Sequence, residues 1–363
     1  MKNRPQTIDR SPQIHLQGMG SERMSYFASY ASRLPRLSSL ATLLILSLLL
    51  SSCFKEKPIA PPHIITNGVY VAHMGDNYTK QLYFNIETGT FVDSNSKYDY
   101  DMAFDCGYTY NVWVNGANLS LVCRTGRTDL SAVTFADTVK GWHIEYGAGI
   151  PDSNAIGSWQ TGLVSNKQVY IINRGVDSNG NSLGFVKMQM GDFTDNSYAL
   201  TYCNMDNSNM RTAVVPKVAN KNLVFLSFND NAVHDFEPDN TNWDFIFTQY
   251  SIFFGPPNNI PYKVTGVLTN PAQTYAYFMD STSNFDSIKA SNVVSAKFNT
   301  MTRDNIGYTW KHFTFAGSTY STNERYNYII KSGNGQLYKM RFLQFYDAQG
   351  EKGYPQFQVY KLQ

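Results

Sequence analysis

One nine-residue stretch, NWDFIFTQY at 242–250, limits what this chain can fold into more than any other. Trp243 and Asp244 stand ahead of Phe245 and Phe247, large apolar residues on alternate positions, the pattern of a strand with a buried aromatic anchor. An echo occurs at 100–104, YDMAF, where Tyr100, Asp101 and Phe104 take the places of Trp243, Asp244 and Phe247. The match implies a duplicated module. Since the two aspartates occupy equivalent places, a structural role, accepting backbone hydrogen bonds near a strand end, explains them better than a catalytic carboxylate pair.

Other elements recur in the same order. In the first half, 80–87 alternates as a strand, 111–114 ends at the turn pair Asn115-Gly116, and 128–133 starts with capping residues for one helical turn. Trp142 and Trp159 follow in separate strand-like pieces, then 169–173 and 184–190 flank a Gly/Asp/Asn-rich turn. In the second half 222–228, 243–250, 262–270, a short helical turn at 284–288, Trp310, 328–330 and 337–345 repeat that order. Pro216 marks a boundary, which predicts two related antiparallel β modules, 66–215 and 216–363, with a single interleaved β structure as the alternative. Composition agrees: 15% aromatic and 16% charged residues, with 25 Gly and 14 Pro, describe an all-β chain rich in turns.

The first 53 residues read differently. Arg33 and Arg36 precede an apolar run at 37–50, shorter than a spanning helix needs, and Ser51-Ser52-Cys53 closes it. This resembles a bacterial lipoprotein signal, with Cys53 the lipidated residue and Met24 a plausible true start. Residues 54–65, with Pro58, Pro61 and Pro62, form a stiff tether, and Phe54-Lys55-Glu56-Lys57 resembles the signal that sends Bacteroidetes lipoproteins to the outer surface. The leader and Cys53 hold six of the 30 Lys and Arg and two of the 28 Asp and Glu, leaving 24 against 26, a net charge of −2. A near-neutral remainder without a basic stripe argues against a nucleic-acid partner.

Cys106, Cys123 and Cys203 remain. Cys106 and Cys123 flank a hairpin predicted from 108–114 and 118–124, so they are either bridged or free thiols. The absence of CxxC excludes zinc-ribbon and c-type haem attachment. Asp177 to Ser182 begins like a calcium loop but has Met188 where the twelfth-position Glu belongs, and reads as a hairpin turn. No GxSxG, HExxH or phosphate-binding glycine loop occurs, so an enzyme is not expected.

With Trp243-Asp244, Ile306 to Lys311, Leu337 to Phe342, and Phe345-Tyr346-Asp347 with Gly353-Tyr354-Pro355 and Phe357, the second half resembles the HmuY-like haem-binding lipoproteins of Bacteroidetes. The resemblance spans about 223–362, and more faintly 82–190. It implies an all-β fold, a lipid anchor in the outer membrane facing the surface or periplasm, and non-catalytic capture of haem or of haem from a haemoprotein, with an outer-membrane receptor as a further partner. The family's axial ligands are His or Met, one of them a few residues after a Trp matching Trp310. Here Phe313, Thr314 and Phe315 hold that offset, and His312 lies two residues beyond the Trp. His312 is the candidate haem ligand, with His234, Met279 or Met301 as candidates for the second; His63, His73 and His143 read as solvated or hydrogen-bonded side chains. The 25 Tyr, 23 Phe and 5 Trp support an alternative, a glycan-binding or adhesive accessory lipoprotein, although two β cores absorb most of these rings.

Overall fold

The computed structural model describes residues 68–150, 153–255, 260–299 and 301–363. The leader, Cys53, the tether at 54–65 and His63 lie outside the described residues. The described chain is all-β, with short 3-10 turns between antiparallel strands. No helix among the described residues is long and apolar enough to cross a membrane.

Four main sheets form two face-to-face pairs. In one pair a four-stranded sheet orders Ala232–His234, Leu223–Ser227, Met102–Asp105 and Val112–Val114. It covers a six-stranded sheet ordered Arg211–Pro216, Ser197–Asn204, Phe185–Met190, Val169–Asn173, Leu121–Arg124 and His143–Ile144. Inward positions alternate along each strand, so Met102, Phe104, Val112, Val224 and Leu226 meet Tyr170, Met188 and Tyr198 in one buried core.

The other pair has the same plan. Ile260–Thr269, Phe245–Phe254, Lys80–Asn85 and Thr90–Ser96 form its four-stranded sheet. Val69–Val71, Lys352–Lys361, Leu337–Tyr346, Asn327–Lys331 and Tyr275–Asp280 form the sheet of five. Its core joins Phe84, Phe245 and Phe247 to Trp310, Tyr328, Met340, Phe342 and Phe357. The indole of Trp310 stacks flat on Phe342 with centroids 3.9 Å apart.

Strand pairing crosses the chain's midpoint in both directions. The hairpin of Lys80–Asn85 and Thr90–Ser96 pairs with Phe245–Phe254, while Leu223–Ser227 pairs with Met102–Asp105. The outer strand Val69–Val71 follows the same exchange by joining Lys352–Lys361, whereas Arg211–Pro216 pairs locally with Ser197–Asn204. Residues 102–234 therefore hold one sheet pair without interruption, and that segment lies within the chain of the other.

The aspartates singled out by sequence stitch these exchanges. Asp101 N donates to Leu226 O at 2.9 Å, and its Oδ2 accepts from Phe228 N at 2.7 Å. Asp244 N donates to Phe84 O at 2.8 Å, and its Oδ2 accepts from Ile86 N at 2.7 Å. Asn115 and Asn270 add a matching layer, each donating from Nδ2 at 2.8 Å to the carbonyl before the aspartate, Tyr100 O and Trp243 O. Both aspartates thus fulfil the expected backbone-accepting role.

Two local expectations change. All three described cysteines are free, and the hairpin expected between Cys106 and Cys123 does not form. Instead Val112–Val114 pairs with Met102–Asp105, and Leu121–Arg124 pairs with Val169–Asn173 in the facing sheet. The cause is the 3-10 turn Gly116–Asn118, capped by Leu119 at φ 64°, which redirects the chain between sheets. Gly175 makes the crossing tight: a Cβ there, at φ +82°, would sit 1.9 Å from Asn118 O. The helical turn expected at 128–133 forms a few residues later, as Phe135–Lys140, where Thr134 and Asp137 make a capping box. Asp177 closes the expected hairpin turn, its Oδ1 accepting from Asn179 N and Asn181 N.

Candidate functional site

Two places present chemistry that the cores do not consume. The first is the two-stranded ribbon Lys311–Thr314 and Thr319–Thr322. His312 is exposed there, with Nε2 2.8 Å from Ser321 Oγ on the paired strand. Phe313 is 38% exposed and Phe315, in the turn, 85%, their rings 5.2 Å apart. The ribbon is anchored from below by Lys311, whose buried ammonium donates to Thr265 O and lies 4.4 Å from the Trp310 ring centroid. Burial lowers the Lys311 pKa to about 7.

The other candidate ligands are dispersed. His234 lies on Ala232–His234 in the other sheet pair, half-buried, with Nε2 3.1 Å from Asp230 Oδ2 and its ring stacked on Phe236. His143 is half-buried on His143–Ile144, and burial lowers its pKa. Met279 lies on Tyr275–Asp280, half-buried, and Met301 is 67% exposed. His312 and His234 lie on different hairpins, each with its imidazole beside a neighbour on its own hairpin, Ser321 and Asp230. For haem the donor set fits one axial imidazole, His312, beside two exposed aromatic rings able to cover one face of a flat macrocycle.

The second place is a cavity of about 700 Å³ between the outward faces of the two four-stranded sheets. Strand alternation makes it: while Met102, Phe104 and Val112 point into one core, Ala103, Asp105 and Trp113 line the cavity, and Tyr83, Ile246 and Thr248 do the same opposite. His143, His234 and His312 are not among its lining residues, whereas Met301 is. Glu145, Glu237 and Arg303 are. Burial pushes the Glu145 carboxyl up to about 8 against hydrogen bonds from Ala155 N and Val114 N, and pushes Glu237 up to about 7 although Asn222 N donates to it at 2.9 Å. Burial also lowers the Arg303 pKa, opposed by the nearby Glu237 charge; Arg303 Nε donates to Thr269 O at 3.1 Å.

Sequence reasoning missed these three residues. Glu145 and Glu237 lie just outside strands, and Arg303 lies in an irregular segment. Neither period 2 nor period 3.6 marks such positions, and only the sheet pairing brings them together.

The fold defines an all-β protein of paired antiparallel sheets. Residues 219–359 match the HmuY protein family, so this stretch of the chain is similar to an HmuY domain. No curated protein matches. Among solved structures the chain is similar to apo PinO from Porphyromonas gingivitis, at 10% identity over 81% of this chain and 96% of that one, with a TM-score of 0.27. It is also similar to a candidate lipoprotein from Bacteroides fragilis, at 15% identity over 47% of this chain and 91% of that one, TM-score 0.21. A candidate HmuY-like haem-binding protein from Bacteroides vulgatus aligns at 14% identity over 38% of this chain and 82% of that one, TM-score 0.17.

Proposed function

We propose that this protein is a non-catalytic, HmuY-like haem-capturing lipoprotein made of two repeated β modules. It is anchored through Cys53 to the outer membrane, at its surface or periplasmic face, and passes haem to a membrane receptor. The observation that carries the reading is the HmuY match over 219–359, a stretch that includes His312 on its exposed ribbon. The imidazole supplies one axial ligand, and Phe313 and Phe315 offer apolar cover for one face of the porphyrin. The matched hydrogen bonds of Asp101 with Asn115 and Asp244 with Asn270 support the repeat.

Haem bound at the ribbon is one-sided in this reading, open to a small ligand or to a partner's side chain on the other face. Titrating the protein, cut before Pro58, with haemin should give a shifted, saturating Soret band with near-unit stoichiometry. His312→Ala should abolish the shift or weaken affinity at least about tenfold, the loss of roughly 1.4 kcal/mol of ligation. A broad spectrum that never saturates, or a spectrum unchanged in His312→Ala, would sink this reading.

A further inference from the structure

The cavity between the two four-stranded sheets has no place in the haem reading. We propose that it is a separate binding site for a neutral, hydroxyl-rich ring ligand of saccharide size, held against Tyr83, Tyr100 and Trp113 and hydrogen bonded by Asn111, Glu145 and Glu237.

Size is the first support: about 700 Å³ falls in the range of small-molecule sites. Unpaired donors are the second. Asn111 and Trp113 line the cavity, and their buried Nδ2 and Nε1 find no hydrogen-bond partner among the described residues; Asn111 is only 9% exposed. Trp243 Nε1 likewise meets no acceptor at hydrogen-bonding geometry, although the indole is close enough to Glu237 to favour its charged form. Buried donors left unpaired in a folded protein are uncommon, and an acceptor supplied by water or by a ligand would satisfy them.

Charge then selects the ligand class. Glu237 and Arg303 influence each other through space, yet no described ion pair joins them. Glu145 holds its proton to about pH 8, so near neutrality that carboxyl donates as well as accepts. The lining holds three acids, Asp105, Glu145 and Glu237, and two cations, Lys221 and Arg303, so an anionic ligand would meet the acids and a cationic one Lys221 and Arg303. Hydroxyl groups, which donate and accept at once, satisfy unpaired N–H groups and the protonated Glu145 carboxyl together. The rings of Tyr83, Tyr100 and Trp113 supply flat apolar surfaces for the C–H faces of a pyranose.

The test uses the full chain in detergent and a panel of D-glucose, N-acetyl-D-glucosamine, maltose and lactose. Binding is followed by tryptophan fluorescence, because Trp113 and Trp243 line the cavity, and by calorimetry. At least one sugar should saturate. Trp113→Phe, which keeps an aromatic face of smaller area and deletes the donor, and Glu237→Gln should each weaken it roughly tenfold, with the haemin titration unchanged. If Glu237→Gln melts early, Trp113→Phe alone decides. No saturation by any sugar, or unaltered affinity in Trp113→Phe, overturns the proposal. So does weakened haemin binding in Trp113→Phe, which would assign the cavity to haem.

Discussion

Single side chains buried at sheet ends carry the largest individual stakes. Asp101 accepts from Phe228 N and also pairs with Arg174, whose Nε lies 2.7 Å from Oδ1 and whose side chain is 13% exposed. Among the described residues Asp244 pairs with no such cation; Thr274 Oγ1 donates to its Oδ1 at 2.9 Å, and burial raises its pKa. Asp101→Ala should therefore cost more, roughly 3–5 kcal/mol, because it strands a guanidinium. Asp244→Ala should cost about 1–3 kcal/mol for orphaned donors. Urea denaturation of the two variants checks the order, and an equal loss would refute it. Glu145 gives a prediction in pH. Folded, it keeps its proton to about 8, whereas unfolded it releases it near the ordinary 4.5, so the unfolded chain binds fewer protons between those values. The group's contribution to stability is full below about 4.5 and is lost as pH rises through 8. Glu145→Gln stays neutral throughout and should flatten that decline. Its Tm relative to the natural protein should rise between pH 5 and 8.5, at about 2–4 °C per kcal/mol; a constant difference across that range would contradict the burial argument.

Between elements, two lysines bind loops to sheets. Lys339 Nζ, on Leu337–Tyr346, donates to Phe285 O, Asp286 O and Ile288 O at 2.7, 3.2 and 3.2 Å. Lys187, on Phe185–Met190, does the same for Val133 O at 2.9 Å. Lys339→Met keeps the apolar stem but leaves three carbonyls short of a donor, a loss of about 1–3 kcal/mol. Amide exchange should quicken first in the 3-10 turn Phe285–Ser287, while the core strand Asn327–Lys331 keeps its protection; uniform loss would show instead that Lys339 acts on the whole sheet. These elements also show what sequence can convey. Trp243-Asp244, Tyr100-Asp101 and the strand runs 169–173 and 337–345 were legible because strand identity is written in neighbouring residues. The Cys106–Cys123 hairpin was misread because a left-handed Leu119, a residue with no special propensity for that conformation, turns the chain to another sheet. His312 was legible as a candidate through its neighbour Trp310. Its exposure was not, since Trp310 itself proved to be core.

At the scale of the whole molecule the governing fact is partner choice, which alternation leaves open. A strand such as Lys80–Asn85 shows which face is buried but not that its neighbour lies some 160 residues away. The exchange makes the two parts unequal in folding. Residues 98–242 contain every strand of their sheet pair, from Met102–Asp105 to Ala232–His234, whereas the other pair needs residues 69–96 together with the chain after 242. A fragment 98–242 should therefore unfold cooperatively and show dispersed amide resonances, even with Trp113 and Phe225 uncovered. Fragments 68–215 and 216–363 should not. The first loses Leu223–Ser227 from beside Met102–Asp105 and leaves the hairpin at 80–96 without Phe245–Phe254; the second loses the reciprocal pairings and exposes unpaired edges that favour aggregation. Mixing those two fragments should restore the native near-UV signal, because each supplies the strands the other lacks. Cooperative folding of either fragment alone, or an unfolded 98–242, would show that the cross-midpoint pairing does not govern assembly.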